Sequence, residues 1–215
     1  METDGGGWTL MLSYDHVIGN NDALVKGLPT NPTDGYSHTY LSELGGEPGD
    51  IAEVRFWCQS SAHERTMHFK TDNTQVIQEA HYGTKFTWPS DWNTGFTALE
   101  GHTAYLPAAT ADTPLSRYGD AWSHKDAFTN HAFYTEHEYH WNIIPVASAG
   151  EGGSGRFECD EHNWTSFDPD NPRDTRHQIW YRTATCGDGK TEGGETCDDG
   201  GPTATCSAEC TLIGP

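Results

Sequence analysis

Between residues 135 and 170 the chain carries Glu136, Glu138, Glu151, Glu158, Asp160, Glu161, Asp168 and Asp170, interrupted by the run Gly152-Gly153-Ser154-Gly155. Hard divalent cations take about six to eight oxygen ligands from carboxylates, backbone carbonyls and water, so this segment holds the donors for calcium. One imidazole among carboxylates is atypical for calcium, and His137 is therefore either an unusual ligand or a group that orients a bound water. Zinc wants more nitrogen, which His131, His137, His140 and His162 can supply. The oxygen supply favours calcium. A plainer reading stands beside it: acidic residues in an acidic chain are commonly solvated surface, and Glu136, His137 and Glu138 can form the polar face of a strand whose apolar residues are Tyr139 and Trp141.

Other chemistries have less to stand on. His137 or His140 with Glu136 as base could serve a metal-dependent hydrolase, but the chain has no HExxH, GxSxG or phosphate-cradling loop. No enzymatic activity is expected. With 12 Lys+Arg against 32 Asp+Glu and a formal charge of −20, there is no electrostatic footprint for nucleic acid, and an anionic membrane surface would repel the chain. No apolar run approaches the roughly 18 residues of a membrane-spanning helix. Asn163-Trp164-Thr165 matches the glycosylation sequon, which beside a ligand pocket reads as coincidence.

The elements that must position these groups look mostly extended. Segments 8–14, 53–58, 65–70, 81–88, 138–144 and 177–182 are short, rich in aromatic or β-branched residues, and partly alternating. Segment 37–44 reads as the clearest helix, with Ser37 as cap, Tyr40, Leu41 and Leu44 as apolar face and Gly45-Gly46 as stop. Long Gly-, Asp-, Asn- and Pro-rich stretches at 29–35, 100–119 and 148–155 read as loops that carry function or bind ions. His63, His68 and His81 fall on expected strands and read as surface. Leu, Ile, Val and Phe make up only 30 of the 215 residues, a composition that suggests disorder until the eight Trp, nine Tyr and eight Phe are counted. The expected core is therefore aromatic and cross-linked.

Composition changes near Cys186. From there on no aromatic occurs, and Cys186, Cys197, Cys206 and Cys210 cluster in a stretch too polar to build a core. Two disulfides are expected to hold it, each closing a short loop. A zinc site is the rival, disfavoured because the spacing lacks paired CxxC knuckles. Cys58 and Cys159 lie far apart in sequence; a disulfide between them and a pair of buried thiols are both open. Six cysteines point to an oxidising compartment, hence to a secreted or cell-surface protein.

Three motifs carry a resemblance. Asp4-Gly5-Gly6-Gly7-Trp8-Thr9-Leu10 is similar to the opening of fibrinogen-related domains. Tyr118-Gly119-Asp120-Ala121-Trp122-Ser123-His124 resembles the segment before that family's ion-binding loop. Thr135-Glu136-His137, then Gly152 to Glu158, then Cys159-Asp160 and Trp164, resembles the ligand region of the intelectins, the X-type lectin branch. The resemblance implies an α+β fold over residues 1–184, mostly twisted antiparallel sheet with few short helices and long ion-binding loops. It also implies that the family's N-terminal segment precedes residue 1. Residues 185–215 resemble the cysteine-rich modules appended to secreted myxobacterial proteins.

By that resemblance Glu136, His137, Glu158 and Asp160 surround a calcium ion, Trp164 walls the pocket, and Tyr139 or Trp141 completes the wall. The implied activity is calcium-dependent binding of microbial or cell-surface glycans through vicinal hydroxyls. A monosaccharide buries little area, so useful avidity would call for several copies, as in a homo-oligomer. The alternative is an adhesive or peptide- and acetyl-group-binding module in which calcium is only structural, because fold does not fix function.

Overall fold

A computed structural model of the 215-residue chain describes residues 3–17, 25–26, 37–38, 47–74, 76–78, 96–106, 133–134, 139–144, 156–162, 174–191, 195–203 and 205–213. Ten strands lie among them: β1 (Thr9–His16), β2 (Val25–Lys26), β3 (Ser37–His38), β4 (Ile51–Ser60), β5 (Thr66–Thr71), β6 (Phe96–Ala98), β7 (Phe133–Tyr134), β8 (Tyr139–Ile144), β9 (Arg156–His162) and β10 (Thr175–Thr183). They form a seven-stranded sheet ordered β2-β3-β1-β10-β4-β5-β6 and a three-stranded sheet ordered β7-β8-β9. Every pairing is antiparallel except that of β2 with β3. The architecture is thus mostly antiparallel sheet, with a few short helical turns among the described residues.

Period-two alternation explains which face is buried. Val54, Phe56 and Cys58 of β4 lie beside Met67 and Phe69 of β5 and beside His177 and Ile179 of β10, all on the core face. Phe56 stacks on Phe69 with centroids 5.1 Å apart and meets the edge of Trp141 at 5.9 Å. Trp141 comes from β8, so the core sits between the two sheets. A chain poor in aliphatic residues fills this space with aromatic rings, as its composition suggested.

The opposite face of the large sheet buries a charge. Arg55 is 1% exposed, its guanidinium 3.8 Å from the Trp180 ring centroid and 5.0 Å from that of Trp8. Burial lowers its pKa to about 10, with Asp4 acting in the other direction. Asp4 opens the Asp-Gly-Gly-Gly-Trp turn at φ 50, and Gly5, Gly6 and Gly7 follow at φ 81, 83 and 75. Four successive left-handed residues need glycine at most positions, which is why the motif is written as it is. The turn is pinned by ion pairs: Lys70 reaches Asp4 and Glu53, and Arg182 reaches the same two carboxylates.

Two expectations change here. Ser37 and His38 do not start a helix; they pair with Ser13 and Leu12 as β3. Ladder hydrogen bonds to β1 outweigh the local capping signal; residues 39–44 lie outside the described residues, as does the expected strand 81–88. The openness over Cys58 and Cys159 is resolved: they form a disulfide, as do Cys186 with Cys210 and Cys197 with Cys206.

Candidate functional site

Strand β9 joins the two sheets through three consecutive residues. Glu158 offers its carbonyl to His177 Nε2 of β10 at 2.8 Å. Cys159 is bonded to Cys58 of β4, and its carbonyl lies 3.0 Å from His63 Nε2. Asp160 is a bulge residue: His140 pairs with Glu161 and Trp141 with Cys159, leaving Asp160 unmatched at φ 58. Aspartate tolerates this left-handed conformation better than most side chains, and the bulge re-aims it out of the strand's alternation.

That re-aimed carboxylate is fully buried and heavily engaged. Arg65 Nε donates to its Oδ2 at 2.7 Å, Tyr105 N–H to both oxygens at 3.0 and 2.9 Å, and Leu106 N–H to Oδ1 at 2.8 Å. Arg65 Nη2 also donates to the Asp160 carbonyl. A carboxylate has about four lone-pair sites, and these donors address them. The cation facing Asp160 is the chain's own guanidinium.

The residues expected to hold a metal are distributed as follows. Glu158 is fully buried, and alternation turns its side chain to the face of β9 opposite Cys159. Glu136 and His137 fall in the connection between β7 and β8, outside the described residues, as does Trp164. Tyr139 opens β8 opposite His162, whereas Glu158 lies opposite Asn142. Glu158 therefore lies three rungs, about 10 Å, along the β8–β9 pair from Tyr139, the first residue of β8. Trp141 has no exposed surface; it packs on Phe56 and edge-on against His177 at 4.5 Å. The ring expected to complete a pocket wall at Trp141 lies instead in the core, on the strand position opposite Cys159. Of the histidines read as surface, His63 and His68 are half-buried and hydrogen-bonded to the carbonyls of Cys159 and Glu100.

His177 was not visible as a special residue in the sequence, although its position two before the core residue Ile179 was a signal. It is fully buried, Nδ1 has no hydrogen-bond partner, and burial lowers its pKa to about 4. His177 is neutral in the native protein, while in the unfolded chain it titrates near its ordinary 6.5. The unfolded chain therefore binds more protons between these values, and stability falls as pH drops through that window, by on the order of 3 kcal/mol from this group at pH 4. Denaturant midpoints followed from about pH 7 to pH 4 should fall more steeply for the wild type than for His177→Gln. Parallel profiles would refute the assignment.

In the tail, Asp198 collects the N–H groups of Gly187, Asp188, Gly189 and Gly200 at 2.7 to 3.1 Å. These bonds, Gly200's first, hold its carboxyl below the usual range. The repeated Gly and Asp of this segment thus build an internal turn. Cys186, Glu195 and Cys210 are close enough to suggest a metal site, but the two sulfurs are joined in a disulfide. Only reduction would free thiolates, the form that binds metal, so the zinc reading of the tail fails in the oxidised protein.

Cavities among the described residues lie elsewhere. One of about 400 Å³ is bounded by Pro48, Ile51, Asp72, Ile77, Gln78 and Thr191. Another of about 270 Å³ lies beside Asp15, Gln59, Ser60, Asp174 and Arg176. Neither is lined by a residue expected to bind metal or sugar. Among the described residues no helix is long and apolar enough to cross a membrane, and three disulfides suit an oxidising, extracellular setting. Set against protein-family models, curated proteins and solved structures, the chain matches none.

Proposed function

We propose that this chain is a secreted, fibrinogen-related protein of intelectin type that binds glycans in a calcium-dependent way. The observation that carries the reading is Glu158: a fully buried carboxylate on β9, in the same sheet as the strand that follows Glu136 and His137. Hard divalent cations gather several oxygen ligands, and the surrounding sequence is rich in further carboxylates and carbonyl-bearing glycines. Glu158, with Glu136 and His137, would hold the ion. Asp160, engaged by Arg65 and two amides, fits less well as a ligand and instead fixes the strand from which Glu158 projects.

Bound calcium would supply coordination positions that two vicinal sugar hydroxyls can fill in place of water. The protein's share is to hold carboxylates at fixed places and to stack aromatic side chains, Trp164 and Tyr139 among them, on the apolar face of the sugar. Affinity per site is expected to be weak, since calcium in extracellular modules binds at roughly 10⁻⁴–10⁻³ M, and several copies would then act together.

A glycan array read with calcium and with chelator tests the reading directly. Glu158→Gln removes one charge while keeping the shape, so calcium and glycan affinity should fall together, by about 10-fold or more. Calcium affinity unchanged in that variant would remove Glu158 from the site. The second reading, an adhesive module with structural calcium, is favoured by the commitment of Asp160 and Trp141 to the fold. Glycerol separates the two: competition supports the lectin, indifference the adhesive module.

A further inference from the structure

The cavity of about 400 Å³ beside the start of β4 has an apolar floor and a polar rim. Ile51, Ala52 and Ile77, all buried, form the floor, while Asp72, Thr74, Gln78 and Thr191 stand exposed around it. Its walls are fixed from three sides. Glu47 and Asp50 close the turn before β4 on each other, Glu47 N–H donating to Asp50 Oδ2 at 3.0 Å and Asp50 N–H to the Glu47 carbonyl at 2.9 Å. Beyond β5, Asn73 caps a helical turn, its Oδ1 accepting from Val76 N–H at 3.2 Å and its carbonyl from Ile77 N–H at 3.0 Å. The third wall is Thr191 of the cysteine-rich tail. Ala184 N–H donates to the Asp50 carbonyl at 2.9 Å and so ties the start of that tail to the turn.

One charged side chain lines this cavity, and it is Asp72. Asp4, Glu53, Asp15 and Asp160 are each met by a lysine or arginine of the chain, and Asp50 takes the Glu47 amide. The Asp72 carboxylate has no hydrogen-bonded or ionic partner among the described residues. With 12 Lys+Arg against 32 Asp+Glu the chain runs short of its own cations, so the cation that can pair with Asp72 is one from solution. An anion would meet Asp72 and a formal charge of −20 with nothing to offset them. A bare divalent ion would find a single carboxylate, far short of the oxygen set it gathers, and would leave the apolar floor uncovered. An ammonium on a short alkyl stem answers both features. Its three N–H donors suit a carboxylate flanked by threonine hydroxyls and the Gln78 amide oxygen, and its stem covers Ile51, Ala52 and Ile77.

We propose that this cavity is a binding site for small alkylammonium ions, with Asp72 as counter-ion, Ile51 and Ile77 as the seat of the stem and the tail's Thr191 as the closing wall. Its volume falls within the range of small-molecule pockets. Such a site stands apart from the glycan reading and gives the cysteine-rich tail a part in recognition.

The test is titration of the isotope-labelled full chain with butylammonium, butan-1-ol and butyrate, followed by amide chemical shifts at fixed pH and ionic strength. Butylammonium should bind with a Kd on the order of millimolar, and the amides that shift should be those around the cavity, Ala52, Asp72, Ile77, Gln78 and Thr191 foremost. Butan-1-ol should bind about 5-fold more weakly, the size of one solvent-exposed ion pair, and butyrate more weakly still. Asp72→Asn should bring butylammonium down to the level of the alcohol. Gln78→Lys sets a positive charge on the rim and should abolish ammonium binding; both sites are exposed, so the melting temperature should hold. Equal affinity for ammonium and alcohol in the wild type overturns the cationic assignment, and an undiminished preference for ammonium in Asp72→Asn overturns Asp72 as its counter-ion. Shifts spread over the acidic surface, or no shifts with any of the three probes, overturn the site itself. A lower melting temperature in Asp72→Asn overturns it in favour of a structural role for the carboxylate.

Discussion

Replacing Cys58 and Cys159 together by alanine is expected to lower the unfolding free energy by about 4 to 5 kcal/mol. The bridge spans 101 residues of sequence, and a closed loop of that length restricts the unfolded chain more than either tail bridge does. Its place in the native structure adds to the effect. Cys58 belongs to the seven-stranded sheet and Cys159 to the three-stranded one, and both are fully buried. Without the bridge, β9 is held to the large sheet by hydrogen bonds from His63 and His177 and by the Arg65–Asp160 pair. Guanidinium unfolding of the double variant against wild type measures the loss. A loss under about 1 kcal/mol would mean that the unfolded chain is already compact around this contact, and that the bridge follows the packing of the sheets rather than enforcing it. Removal of Cys197 and Cys206, nine residues apart, should cost less and leave the two-sheet body intact.

Much of the larger sheet was legible. In 53–58 and 65–70 the alternation of Val54, Phe56 and Cys58, and of Met67 and Phe69, is carried by the local sequence, because one face of each strand is buried and period two writes itself into the residue types. β3 was not legible: two residues on a sheet edge have no period, and Ser37 signals a helix cap as readily as a strand. Trp141 shows a different limit. That 138–144 is a strand could be read, but which of its faces meets the core depends on a second sheet and on a bulge at Asp160, and neither leaves a local mark. Arg65 and Asp160 stand 95 residues apart, and nothing near either of them announces the other. The acidic segment was therefore visible as a set of oxygen donors, while the division of labour within it was not: Asp160 ties down a loop, and Glu158 is buried two positions before it on the same strand.

That division gives the second large effect. Asp160→Ala should destabilise the protein by about 3 kcal/mol or somewhat more, because it strips partners from Arg65 and from the N–H groups of Tyr105 and Leu106 at a buried site. Arg65 is 28% exposed and can regain water, which keeps the loss near the lower end for a broken buried pair. Alanine at φ 58 adds backbone strain on the order of 1 kcal/mol. Asp160→Asn should fall between wild type and alanine: asparagine tolerates the same left-handed backbone and retains one acceptor oxygen, but it gives up the charge. The decisive comparison is between millimolar calcium and chelator. If the cation facing Asp160 is Arg65, both variants lose the same stability in either condition, and a double-mutant cycle with Arg65→Met shows a coupling of about 1 to 3 kcal/mol. If calcium stabilises the wild type and that increment disappears in Asp160→Asn, the carboxylate is an ion ligand and the anchoring role described for it is wrong.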